Sequence, residues 1–185
     1  MSSGRFIAVV GPSGVGKDSV MNALCAHLPN LVRVRRVITR DPEAGGEDYH
    51  PVSTSDFLNQ VQADQFALWW EAHGLQYGIP ASVQNDLAAG HDVIANLSRS
   101  KLQQAASIFP AFTVLSITAP ASVLAKRLAA RGRESEEDIA TRLARSTLSM
   151  PETLPIITLV NDTTLEACVR QAIAQLYPNM SEALS

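Results

Sequence analysis

Gly11-Pro12-Ser13-Gly14-Val15-Gly16-Lys17 places two glycines and a lysine in the spacing G-x-x-x-x-G-K. That spacing suits one kind of chemistry. Glycines adopt backbone conformations closed to other residues and let main-chain N–H groups approach phosphate oxygens closely, and a lysine at the end neutralises the outer phosphates. The whole loop, from Gly11 through Ser19, is therefore the candidate ATP-binding segment, with Lys17 as a catalytic cation. The position after the lysine, where a Ser or Thr hydroxyl usually meets Mg²⁺, holds Asp18, followed by Ser19. Asp18 as a metal ligand, direct or through water, and Asp18 as an acid favoured at a helix start are equally good readings, with Ser19 as the companion metal candidate. Mg²⁺ itself follows from the charge of ATP in phosphoryl transfer.

The second chemical feature is arginine. Of 15 cations only Lys17, Lys101 and Lys126 are lysines. Arginine's planar fork of donors suits phosphate, although a GC-rich genome produces the same bias without function. Position separates the two readings. Arg33, Arg35, Arg36 and Arg40 cluster beside a loop placed to cover an acceptor, and Arg127, Arg131, Arg133, Arg142 and Arg145 cluster later. Positions 142 and 145 share a helix face. A cationic lid closing over a transferring phosphate would use Arg131 and Arg142, whereas for Arg127 and Arg145 a solvated, acid-laced face is an equal reading.

These residues need a scaffold, and the chain alternates short apolar runs with helical patterns along its length. Arg5–Val10 reads as a buried strand, and Val20, Leu24 and Leu28 mark a helix directly after the glycine loop. Residues 32–38 are a second strand candidate, 41–51 a loop, and Thr54 or Ser55 caps a helix to about Ala63. Residues 66–71 are strand-like, and Pro80 opens a helix ending near Gly90. Strands follow at 92–97, 112–118 and 156–160, with helices after Pro120 and over 165–176. The pattern predicts one α/β domain over 1–185, a doubly wound parallel sheet flanked by helices, with excursions at about 33–90 and 131–150.

Composition narrows the function. Hydrophobic residues make up 46% of 185, enough for one core, and 15 cations against 18 anions give a net charge of −3. General nucleic-acid binding calls for a more basic chain, so no nucleic-acid partner is expected. Cys25 and Cys168 are far apart and form neither a disulfide framework nor a zinc pattern. With no signal-like start and no apolar run of membrane-spanning length, the expected setting is the cytoplasm, without a membrane partner. Nothing in the sequence speaks to oligomeric state. A GTP switch needs an Asn-Lys-x-Asp motif that is lacking here, and a motor ATPase needs a strand ending in adjacent acids, where this chain reads Asn96-Leu97-Ser98-Arg99. Phosphoryl transfer to a small acceptor gains accordingly.

The segment GPSGVGKDSV, Thr39-Arg40, Asp48-Tyr49, Val52-Ser53, Phe57, Trp69, Tyr77-Gly78, Arg131-Gly132, Arg142-Leu143 and Val160-Asn161-Asp162 together resemble the guanylate kinase family over nearly the whole chain. The resemblance implies a P-loop core, an acceptor-binding lobe and a lid. It implies that Arg40 and Tyr49 hold an acceptor phosphate with help from Tyr77, and that Asn161 lies near adenine. Where that family reads guanine with a Glu before the tryptophan, Leu68 precedes Trp69; Glu43 replaces a loop arginine; and Asn96-Leu97-Ser98 replaces an Asp-x-Asp strand end. Guanine's N–H donors would then lack partners, at about 1–3 kcal/mol per group.

The variant set GKDS, ITRD, WEAHGLQYGIP, NLSRS and RGRE is similar to the ribose 1,5-bisphosphate phosphokinase family of phosphonate catabolism. That resemblance implies ATP-dependent phosphorylation of ribose 1,5-bisphosphate, a phosphorylated sugar with no base to read, to 5-phosphoribosyl 1-diphosphate. Arg36, Arg99 and Arg133 are candidates for the extra phosphate contacts. His73 is expected as a turn residue, and Trp69 and Trp70 as packing. The alternatives are a nucleoside monophosphate kinase such as guanylate kinase and a non-catalytic guanylate-kinase-like binding module.

Overall fold

The computed structural model describes residues 3–130 and 150–181. Strand β1 (Phe6–Val10) is buried along its whole length, so both its faces must be covered. Its side chains divide by parity. Phe6, Ala8 and Val10 enter one apolar cluster, and Ile7 and Val9 enter another on the opposite face. On the first face Phe6 stacks on Phe109 with ring centroids 4.2 Å apart. On the second, α1 (Lys17–His27) and the helix Leu165–Leu176 contribute Val20, Met21 and Leu24, and Cys168, Val169 and Ile173.

Around β1 lies a five-stranded sheet of order β2-β7-β1-β8-β9, whose pairs are all parallel. Its other members are β2 (Leu31–Arg33), β7 (Asp92–Asn96), β8 (Phe112–Thr118) and β9 (Ile156–Val160). This is the α/β parallel sheet expected from the sequence. Because the strands are parallel, the loops after β1 and β7 emerge at the same edge, and ligands of open α/β sheets bind at such an edge.

A second sheet, order β4-β3-β6-β5, carries the excursion over 33–90. It consists of β3 (Val37–Ile38), β4 (His50–Pro51), β5 (Phe66–Ala72) and β6 (Leu75–Pro80). Strands β5 and β6 form an antiparallel hairpin. His73 (φ 54°) and Gly74 (φ 72°) make its turn, both in the left-handed region that two-residue hairpin turns require.

Four expectations change here. The single strand at 32–38 divides: the Val34 N–H still donates to Ile94 O in the main sheet, but Val37 pairs with Gly78 in the second, and Arg35-Arg36 form the crossing. The loop at 41–51 contains a 3₁₀ turn at Pro42–Ala44 and the short strand β4. Helix α2 (Thr54–Gln62) is capped by Ser53, one residue early, whose Oγ accepts from the Asp56 N–H at 3.0 Å. Pro80 ends β6 instead of opening a helix, and α3 (Val83–Ala88) starts after Ser82. The hairpin was hidden because Leu75–Pro80 is only partly apolar and its partner strand supplies the burial.

Candidate functional site

The phosphate-binding loop joins β1 to α1, and its backbone is fixed by close packing. A Cβ on Gly11 would lie 2.4 Å from the Ile117 carbonyl oxygen, so only glycine fits. Gly14 (φ 80°) and Gly16 (φ 93°) sit in the left-handed region. Gly16 caps α1 without any side-chain bond, which leaves the first N–H groups of the helix to an anion. Behind the loop, the buried Asn161 donates from Nδ2 to the Val15 carbonyl at 2.8 Å, and Arg127 Nη1 donates to the same oxygen at 3.3 Å. Lys17 Nζ bridges the Gly11 and Pro12 carbonyls at 2.9 and 3.2 Å. Burial pushes the Lys17 ammonium below its ordinary value, and the adjacent Asp18 carboxylate acts in the opposite sense.

The loop forms one wall of a cleft of about 750 Å³, and the second sheet forms the facing wall. Of the residues proposed from sequence, Gly11, Pro12, Ser13, Lys17 and Asp18 border the cleft from the loop side. Arg36, Arg40 and Tyr77 border it from in or beside the second sheet, and Arg99 borders it from the turn after β7. Residues assigned to different steps of phosphoryl transfer thus share one cavity. Ser19, next round α1 from Asp18, is exposed and is not part of the cleft wall. Tyr49 is buried behind it: its ring lies 5.5 Å from the Arg40 guanidinium and its hydroxyl donates to the Asp41 carbonyl. Asn161 braces the loop as described. Arg131, Arg133, Arg142 and Arg145, and with them all but residue 150 of the lid expected at about 131–150, lie outside the described residues.

The arginine cluster separates by partner. Arg33 donates from Nη2 to Asp18 Oδ1 at 2.7 Å and also bonds Asn22. Arg35 turns outward to Asp48. Arg36 pairs with Glu47, donates to the Asn96 carbonyl at 3.3 Å, and lies 4.9 Å from the Tyr77 ring centroid and 5.8 Å from that of Trp70. The Trp70 and Tyr77 rings are stacked, so they form a platform under a cation. Trp70 is buried in the apolar core, as the packing expectation has it, and also borders the cleft, whereas Trp69 is 43% exposed and makes an edge contact with Phe57.

Two residues in the cleft escaped the sequence reading as functional candidates. Glu47 follows Gly45-Gly46 in a polar loop and looks like one more exposed acid, yet its side chain is only 8% exposed. Asn96 ends β7 and is buried; its Nδ2 donates to Asp18 Oδ1 at 3.2 Å and Glu47 Oε2 at 3.1 Å. The usable signal was proximity in sequence to Tyr49 and to the strand end, read together.

The chain was compared with known proteins. The guanylate kinase family model matches residues 3–175. A protein named ribose 1,5-bisphosphate phosphokinase PhnN from Ruegeria sp. (strain TM1040) is 51% identical over 174 residues, covering 94% of this chain and 92% of the relative. One of the same name from Rhizobium etli (strain CIAT 652) is 48% identical over 176 residues, covering 94% and 89%. Among solved structures, a guanylate kinase from Anaplasma phagocytophilum superposes with a TM-score of 0.68 at 20% identity, covering 97% of this chain and 87% of that one.

Proposed function

Because this chain belongs to the guanylate kinase family, in the branch of the ribose 1,5-bisphosphate phosphokinases, we infer that it transfers the γ-phosphoryl group of ATP to ribose 1,5-bisphosphate, giving ADP and 5-phosphoribosyl 1-diphosphate. The observation that carries this reading is the acceptor side of the cleft. Arg36, Arg40 and Arg99 border it, while Leu68, in the position of the guanine-reading acid, is 2% exposed and is not among the residues bordering it. Such a wall favours a phosphorylated sugar over a base.

The 1-phosphate oxygen of the acceptor attacks the γ-phosphorus in line, the bond from the γ-phosphorus to the β–γ bridging oxygen breaks, and ADP leaves with that oxygen. The attacking phosphate is already ionised, so no protein base is required. The protein's work is positioning and neutralisation. The loop N–H groups and Lys17 hold the β- and γ-phosphates, Arg40 and Arg99 face the acceptor's phosphates, and Arg131, Arg133 and Arg142 add cations from the lid segment. Tyr49 supports Arg40 from behind, and Tyr77 shapes the wall beneath Arg36. Mg²⁺ fits the donors present. Asp18 brings a hard carboxylate to the cleft and would be the residue to hold the ion, directly or through water. Such an ion supplies charge neutralisation on the phosphates.

No described helix is long and apolar enough to cross a membrane; the supply of ATP supports a cytoplasmic setting for the proposed reaction. The reading is tested by assaying purified protein with ATP against ribose 1,5-bisphosphate and GMP in parallel. Preferential turnover of the sugar is expected; preferential turnover of GMP would make this a nucleoside monophosphate kinase. An ATP titration without binding would point instead to a non-catalytic module, which the intact phosphate loop argues against.

A further inference from the structure

We propose that Glu47 is the residue that reads the acceptor's ribose hydroxyls, with Asn96 and Arg36 as its partners, an inference that rests on the sugar-acceptor reading above. A carboxylate in a cleft built for phosphates needs an explanation, since its charge opposes theirs. Here that charge is neutralised in place: Oε1 is paired with Arg36, and Oε2 accepts from Asn96 Nδ2 at 3.1 Å. The neutralised carboxylate repels an anionic acceptor far less than a free one. Two carboxylate oxygens offer about four lone-pair sites, and these two bonds use two of them. What remains is strong accepting capacity, which suits hydroxyl donors and not phosphate oxygens.

The neighbouring atoms complete the pattern. The Asn96 amide is oriented by two carboxylates, Asp18 and Glu47, which both require its Nδ2. Its Oδ1 is thereby turned away from donors and has no partner. Arg36 Nε is likewise without a partner. Among the described residues, three buried side-chain atoms lack a hydrogen bond, and two of them, one acceptor and one donor, belong to residues bordering this cleft and flanking Glu47. Native proteins rarely leave such atoms unpaired except where a water, a ligand or a function uses them. A hydroxyl is both donor and acceptor, so it complements that pair. The C2 and C3 hydroxyls of a ribose provide two such groups side by side: the C2 hydroxyl donates to Glu47, and the C3 hydroxyl donates to Asn96 Oδ1 while accepting from Arg36 Nε.

The test is steady-state kinetics with ATP and ribose 1,5-bisphosphate or 2-deoxyribose 1,5-bisphosphate, using the unaltered protein and Glu47→Gln. The unaltered protein is expected to favour the ribose acceptor by at least about 30-fold in kcat/KM, because a site that bonds a hydroxyl leaves its own polar groups unpaired when the hydroxyl is missing. Glu47→Gln is expected to lose at least about tenfold more on the ribose acceptor than on the deoxy one, collapsing the preference. A preference below about threefold in the unaltered protein overturns the proposal without any variant. So does an equal loss on both acceptors, which would make Glu47 only a brace for Arg36, or a gain on both, which would make it a stand-in for an acceptor phosphate. Unfolding temperature and ATP binding show whether the variant is folded. If the unaltered protein turns over neither sugar, the functional reading itself fails, and the inference with it; turnover without hydroxyl preference fails the inference alone.

Discussion

Asn161 and Val15, 146 positions apart, are joined by a 2.8 Å hydrogen bond from a buried amide to the carbonyl at the centre of the phosphate-binding loop. The bond ties the segment after β9 to the segment after β1, so the C-terminal part of the chain sets the shape of the N-terminal site. The fit is close, because a Cβ on Gly16 would come within 2.9 Å of the same Asn161 nitrogen. Asn161→Ala leaves the Val15 carbonyl with Arg127 alone. We expect KM for ATP to rise by up to about tenfold, equivalent to about 1.4 kcal/mol, with KM for the acceptor nearly unchanged. Steady-state kinetics with each substrate varied in turn would show it; an equal rise in both would mean the bond supports the whole cleft.

Lys17 holds an ammonium among carbonyls in a largely buried position, and burial lowers its pKa in the folded protein. The unfolded chain therefore binds more protons than the folded one at pH values between the lowered value and the ordinary 10.5. The destabilisation is complete below the folded pKa and is relieved as pH rises through that window. Lys17→Met is expected to melt at or above the temperature of the unaltered apoprotein at pH 7, while activity drops at least about 100-fold. Calorimetry and turnover on one preparation test both halves, and near-normal turnover would remove Lys17 from catalysis.

The parallel core was legible because each of its signals is local. Phe6–Val10 followed by the glycine spacing and then Val20 and Leu24 carries strand, loop and helix within a few residues of one another. The second sheet was not, because Val37 and Ile38 are strand only by virtue of Gly78 and Tyr77, 41 and 39 positions away. The same contrast holds in the site. Lys17 and Arg40 announce themselves by motif, whereas Glu47 matters only because folding brings it onto Arg36 and Asn96, and a bare acid after two glycines looks like solvent-facing loop.

Asp92 opens β7 at the end of the strand opposite Asn96, and it anchors a three-way contact there. Its carboxylate accepts from the Arg5 backbone N–H at 2.7 Å, from Arg5 Nη2 at 2.9 Å and from the Tyr177 hydroxyl at 2.7 Å. Asp92→Ala orphans these donors and should cost about 2–3 kcal/mol of stability, discounted from a fully buried pair because Arg5 is a third exposed. Denaturant titration measures it. With the cleft at the other end of the strand, kcat should stay within about twofold.

Tyr177 in the same contact is raised well above the ordinary tyrosine value, first by burial and then by its bond to Asp92. Its folded pKa exceeds the unfolded one, so the folded state binds the extra proton. The resulting stability is fully present below about pH 10 and is lost as pH rises from there toward the folded pKa. Unfolding temperatures measured from pH 8 to 11 should fall more steeply for the unaltered protein than for Tyr177→Phe. Parallel curves would show that Tyr177 titrates as an ordinary phenol.

Asp18 is the position where sequence left metal ligand and helix-start acid equal, and its partners make the two separable. Oδ1 accepts from Arg33 at 2.7 Å and from Asn96 at 3.2 Å, so the carboxylate is held at the cleft wall with accepting capacity to spare. As a ligand for Mg²⁺ carried by ATP, its removal in Asp18→Ala should raise the Mg²⁺ concentration for half-maximal rate by about tenfold or more. Asp18→Ser, which restores an oxygen near the usual hydroxyl position, should recover part of that. Arg33→Ala should shift the requirement the other way, because the carboxylate loses its competing cation. As a helix-start acid alone, Asp18→Ala would cost about 0.3–1 kcal/mol of stability and leave the Mg²⁺ curve in place. Mg²⁺ titrations at fixed ATP across the three variants therefore decide between the roles, and opposite shifts for Asp18→Ala and Arg33→Ala are the signature that a passive cap cannot produce.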